Sequence, residues 1–121
     1  MHFHNDKPIY IQIIEYTYER ILQKEWVEEQ KILSVRDLAA ELEVNPNTVM
    51  RAYEKLQQDE IIYNKRGIGF FLVKNVDQKI KNMRKENFVN NELAQILYTA
   101  KLLGVTEQEI IQLFNSKSNK L

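Results

Sequence analysis

Two stretches of this 121-residue chain carry side chains whose types and spacing suit hydrogen bonding to an outside partner. In "NPNTVMRAYEKL", residues 45–56, Val49, Ala52, Tyr53 and Leu56 recur at helical spacing as one apolar stripe. That puts Asn47, Met50, Arg51 and Glu54 on the opposite face. In "KRGIG", residues 65–69, Lys65 and Arg66 sit beside glycines 67 and 69, which allow a tight turn and a close approach of backbone to a ligand. Amides and hydroxyls at a helix start suit base edges, and cations at a turn tip suit phosphates. The first turn of this helix would place Asn47 and Thr48 where a helix enters a groove.

Catalytic chemistry finds little purchase. The chain has no cysteine, hence no thiol nucleophile, thiolate zinc site or disulfide framework. His2 and His4 have the spacing of a chelating pair, but no third ligand accompanies them. Neither a glycine-rich phosphate loop nor a carboxylate pair in an identifiable cleft is legible. No enzyme activity, cofactor or metal site is expected.

The elements that must hold these residues follow from periodicity. Tyr10, Ile13, Ile14, Thr17, Ile21 and Leu22 predict a helix over about residues 7–24, with Asp6 as a candidate cap and Pro8 in the first turn. "KIL", residues 31–33, reads as a short strand. Ser34 with Asp37 makes an approximate capping box for a short helix through about Leu42, with Leu38 and Leu42 inward. Asn45 caps the next helix and Pro46 takes its first position. "IIYN" and "GFFLV", joined by "KRGI", predict a hairpin. From about Asp77 the signals are helical again, with Val89, Leu93, Ile96, Ala100 and Leu103 in one stripe. Asn87, Asn90 and Asn91 precede it, so the helix either bends there or begins later. Gly104 ends that helix, and Thr106 with Glu109 caps a last one carrying Ile110, Leu113 and Phe114.

A hydrophobic fraction of 44% makes a buried core feasible, and 28% charged residues of both signs argue against disorder. No apolar run approaches the roughly 20 residues of a membrane span, and no signal peptide is legible, so a cytoplasmic protein with no membrane partner is expected. The formal net charge is zero, which by itself disfavours a nucleic-acid ligand. Its distribution is uneven: residues 1–30 carry −3 and residues 45–75 carry +2.

Two helices joined by a short turn around Glu43 to Asn45, followed by a basic hairpin, predict a winged helix-turn-helix. The segments "PIYIQI", "SVRDLAAELEVNPNTVMRAYEKLQQDEII" and "KRGIGFFLV" together resemble the GntR family of bacterial transcription regulators over roughly residues 7–73. The short C-terminal region resembles the family's small YtrA-type branch, which ends in a two-helix dimerisation element without a large effector domain. The resemblance implies DNA contacts at Arg36, Asn47, Thr48, Arg66 and Gly67. Pro46 and Met50 stand where some relatives carry basic residues, so base reading falls more on Asn47, Thr48 and Arg36. Met50 is then expected to offer an apolar contact, for instance to a thymine methyl, and Arg51 to touch phosphate.

The expected fold is α+β, mainly α. A winged helix-turn-helix DNA-binding domain spans residues 1–75, a helical dimerisation element residues 76–115, and a polar tail residues 116–121. Double-stranded DNA and a second copy of the chain are the expected partners, the latter held by Val89, Leu93, Ile96, Ala100, Leu103, Ile110 and Leu113. A dimer should act as a repressor on an inverted repeat with half-sites about 10 base pairs apart, or a multiple of that. The competing reading is a winged helix used as a protein-interaction module. The sequence names no small-molecule effector, and about 40 residues after the wing are too few for a separate ligand-binding domain.

Overall fold

Short helices alternate with tight turns along the chain, which a computed structural model describes over residues 1–117. Three helices come first, α1 (Ile9–Leu22), α2 (Val35–Leu42) and α3 (Pro46–Gln58). An antiparallel hairpin of β1 (Ile62–Lys65) and β2 (Gly69–Leu72) follows. Then come α4 (Val76–Phe88), a π-helical turn (Val89–Leu93), α5 (Ala94–Leu102) and α6 (Glu107–Lys117). The fold is mainly helical with one small sheet, as the periodicities predict. Two compact units make it up, Met1–Asn82 and the residues from Met83 onward. No described helix is long and apolar enough to cross a membrane.

In the first unit α1 and α2 both pack on α3. The α3 stripe of Val49, Ala52, Tyr53 and Leu56 is fully buried, together with Ile13 and Ile21 of α1 and Leu38 of α2. Each aliphatic side chain so buried contributes about 1.5–3 kcal/mol, which is what fixes the orientation of α3. Tyr53 also ties α3 to its neighbours. Its hydroxyl donates to the Leu33 carbonyl at 2.7 Å, and its ring meets Phe70 edge-on with centroids 5.0 Å apart.

The turns are built from local bonds. The Ser34 hydroxyl accepts the Asp37 N–H at 3.0 Å, opening α2. That helix ends with Glu43 in the left-handed region (φ 57°), and the Val44 N–H returns to the Ala39 carbonyl at 3.0 Å. Asn45 then caps α3 by accepting the Asn47 N–H at 2.8 Å, with Pro46 in the position that needs no donor. At the far end Glu60 is left-handed too (φ 57°), and the Ile61 N–H bonds the Leu56 carbonyl at 2.9 Å. This closure sends the chain from α3 almost directly into β1.

Three local expectations change. Helix α1 begins at Ile9 with Pro8 in the cap position, and no side chain caps it. Asp6 pairs instead with His4, which holds its carboxyl below the usual carboxylate range. The N-terminal segment is tied down by buried Gln12, whose amide donates to the carbonyls of His4 and Lys7, each at 2.8 Å. "KIL" joins the sheet through a single bridge, Lys31 with Phe71, because Leu33 already accepts from Tyr53 and Ser34 opens a helix.

Helix α4 begins inside the first unit, where Val76 and Ile80 are buried and Lys24 pairs with Asp77 at 2.6 Å. In the second unit the helix does not begin after the asparagines but runs on through them. The Asn91 amide donates to the Asn87 carbonyl and side-chain oxygen at 2.8 and 2.7 Å, and the backbone there widens into the π-helical turn. Gly104 (φ 76°) closes α5, and Thr106 and Glu109 form both halves of a capping box at 3.2 Å. Helix α6 runs through Lys117, so the polar stretch begins within it, and residues 118–121 lie outside the described part.

Candidate nucleic-acid interface

Burying one face of α3 leaves the other to solvent. Asn47, Met50, Arg51 and Glu54 are exposed and Thr48 is half-buried. Asn47, Thr48 and Arg51 line one open cleft with Asn45 and Tyr10, while Met50 lies on the exposed face outside its walls. The Arg51 guanidinium carbon lies over the Tyr10 ring, 3.9 Å from its centroid. Arg36 is the second residue of α2 and is exposed, whereas Leu38, Ala39 and Leu42 of the same helix are buried.

The hairpin turn is exposed at Lys65, Arg66, Gly67 and Ile68, and the Ile68 N–H closes on the Lys65 carbonyl at 2.9 Å. Gly67 has φ 78° and Gly69 has φ 143°, both in the region that glycine alone adopts readily. Lys65 sits over the Phe71 ring at 4.8 Å. The Lys31 side chain crosses Gly69 so closely that a Cβ there would lie 2.8 Å from its Cε. Lys31 is thereby a third cation at the base of the wing. Sequence reasoning missed it, because only the bridge to Phe71 brings it there.

These cations share an electrostatic property. Among the described residues no carboxylate pairs with Lys31, Arg36, Arg51, Lys65 or Arg66, whereas Lys7, Arg20, Lys24, Lys55 and Lys79 each form an ion pair. An exposed cation without a protein counterion is available to a phosphate.

Residues 9–72 match the family model described as "Bacterial regulatory proteins, gntR family". The chain belongs to the GntR family. It is therefore a transcriptional regulator with a GntR DNA-binding domain. It is similar to the uncharacterized helix-turn-helix transcriptional regulator YhcF of Bacillus subtilis, 32% identical over 91% of this chain and 89% of that protein. The transcriptional repressor YtrA of B. subtilis is 33% identical over 85% of this chain and 78% of its own, a span that passes beyond the winged helix. A GntR-family regulator from Listeria monocytogenes superposes with a TM-score of 0.78 at 36% identity, over 93% of this chain and 97% of the other. The DNA-binding domain of AraR, solved in complex with operator ORR3, matches 60% of this chain and 88% of its own at 25% identity and a TM-score of 0.54.

The second unit of this GntR protein differs in kind from the first. None of its residues with described burial is buried. Of the residues expected to join two copies, Leu93, Ala100 and Ile110 are half-buried, and Val89, Ile96, Leu103 and Leu113 are exposed. The stripe is wider than periodicity alone indicates: Leu102 is 68% exposed and Phe114 73%, beside Leu97, Tyr98 and Ile111.

Proposed function

We propose that this GntR regulator is a dimeric, sequence-specific repressor that reads an inverted-repeat operator with two copies of α3. The observation that carries the reading is the set of unpaired cations around the polar face of α3 and the wing, in a chain of zero net charge. In this reading residues 1–75 bind DNA and residues 76–115 join the two copies. Asn47 and Thr48 meet base edges in the major groove, Met50 lies against a thymine methyl, and Arg36 reaches a guanine. Arg51 grips phosphate. Lys65 and Arg66, with Lys31 behind them, carry the wing to the adjacent backbone, and Gly67 lets the turn approach closely. The name of the relative YtrA supports repression.

Dimerisation is supported by the second unit, whose exposed Ile96, Leu102, Leu103 and Phe114 form a larger apolar surface than solvated helices tolerate. A two-fold pair of recognition helices requires half-sites about 10 base pairs apart or a multiple of that. Selection of bound DNA from a genomic library with the purified protein tests both claims, since recovered sites must contain paired, inverted half-sites. Single half-sites would overturn the inverted-repeat reading, and no enrichment with binding insensitive to salt would transfer the fold to the protein-interaction reading.

A further inference from the structure

We infer that Tyr10 is a positioning residue for DNA binding, a platform that holds the Arg51 guanidinium in the orientation in which it grips phosphate. The inference rests on the reading of Arg51 as a phosphate contact. Tyr10 is half-buried in the first turn of α1, and α1 packs on α3, which carries Arg51. Arg51 is exposed and lies over that ring at 3.9 Å. Stacking occupies the flat face of a guanidinium and leaves the N–H groups along its edge free, in the plane from which they make paired bonds to phosphate oxygens. A long side chain confined this way has less rotamer freedom to lose when it binds.

A second arginine in the same unit provides the contrast. Arg20 lies over Tyr16 at 4.9 Å, but its guanidinium also pairs with Glu25 at 2.7 Å and meets the Gln23 side chain at 3.3 Å. Its charge is neutralised and both terminal nitrogens are engaged, as in a contact that serves packing. Arg51 has the stack without the carboxylate, and Asn47 and Thr48 line the same cleft. The cation is held in place while its hydrogen-bonding edge remains open toward the face expected to meet DNA.

The test is a double-mutant cycle. Anisotropy titrations of a labelled mixed-sequence duplex over a salt series are run with Tyr10→Leu, Arg51→Ala and the double variant, all checked for folding by circular dichroism. A cation–π platform at a partly exposed site should make Tyr10→Leu bind about two- to fivefold more weakly, and the same change should have no effect once Arg51 is alanine. Tyr10→Phe keeps the ring face and should bind as the parent does. Tyr10→pentafluorophenylalanine keeps the ring shape but reverses the charge of its face, so it should behave like Tyr10→Leu even if the leucine variant folds poorly. Equal weakening by Tyr10→Leu in both Arg51 backgrounds would reduce Tyr10 to packing and overturn the inference. Tighter binding would overturn it as well, since Tyr10 would then be withholding Arg51 from DNA. If Arg51→Ala itself binds as the parent does, the phosphate reading of Arg51 falls and this inference with it. Weakening by Arg51→Ala with no effect of Tyr10→Leu removes the platform alone.

Discussion

Arg36→Ala separates a DNA contact from a stability effect. Arg36 is exposed, it has no ion pair among the described residues, and it stands in the first turn of α2 beside the Ser34 cap. A cation near a helix N-terminus opposes the helix dipole, so its removal should leave stability within about 0.5 kcal/mol of the parent, if anything slightly higher. The buried Leu38, Ala39 and Leu42 that fix α2 are untouched. If the guanidinium bonds a guanine edge with two hydrogen bonds, its loss should remove about 1–3 kcal/mol of discrimination, or about 5- to 150-fold, at one base pair. Binding to scrambled DNA should change much less. Arg51→Ala provides the opposite pattern, a similar loss on every sequence and a salt slope shallower by about one unit. Titrations of both variants on the selected operator and on scrambled duplex, at several salt concentrations, read the two patterns directly. Unchanged operator affinity in a folded, dimeric Arg36→Ala protein would refute the base-contact assignment.

Other perturbations probe the frame that holds this surface. Replacing Leu102 and Leu103 together by serine should abolish the proposed dimer at micromolar concentration in sedimentation experiments without lowering the melting temperature of the winged unit, and a dimer persisting in the variant would move the interface elsewhere. Gly69→Ala should cost about 1–3 kcal/mol, because φ 143° is closed to other residues, whereas Gly67→Ala at φ 78° should cost about 1–2 kcal/mol; equal melting of Gly69→Ala and the parent would contradict the hairpin geometry. Tyr53→Phe leaves the Leu33 carbonyl without its donor and should cost about 1–3 kcal/mol in chemical denaturation. Burial pushes the Tyr53 hydroxyl above its ordinary range, so the folded state holds this proton more tightly than the unfolded chain. The resulting stability is complete below about pH 10 and is lost as pH rises beyond it. Tyr53→Phe should lack that part of the alkaline loss, and an identical alkaline dependence in variant and parent would refute the link.

Much of the fold was legible because its signals are local. Asn45 with Pro46, Ser34 with Asp37, and Thr106 with Glu109 act within a few residues of one another, and the apolar stripes of α1 and α3 repeat at the helical period. What escaped either breaks a local preference or joins distant segments. Glu43 and Glu60 adopt left-handed conformations that glycine usually takes, because the turns they close are imposed by packing on both sides. Asp6 leaves α1 uncapped, and the N-terminal segment is tied instead by Gln12, whose buried amide reaches two carbonyls at once. Arg51 on Tyr10 and Lys31 across Gly69 are long-range meetings that no periodicity encodes.

The zero net charge is where sequence and structure differ most for function. Counting charges treats every lysine and arginine alike, and on that count a DNA ligand is disfavoured. The fold pairs only some of them. Glu15, Glu25, Asp59, Glu60 and Asp77 hold Lys7, Arg20, Lys55, Lys79 and Lys24. Five of the seventeen carboxylates are thereby held by cations other than those of the cleft and the wing. Lys31, Arg36, Arg51, Lys65 and Arg66 form no ion pair with any carboxylate among the described residues. Counterion release depends on the cations a phosphate can reach rather than on the sum over the chain, so a neutral protein can bind a polyanion with a steep salt dependence. The proposed role of these five cations therefore does not depend on the composition of the whole chain.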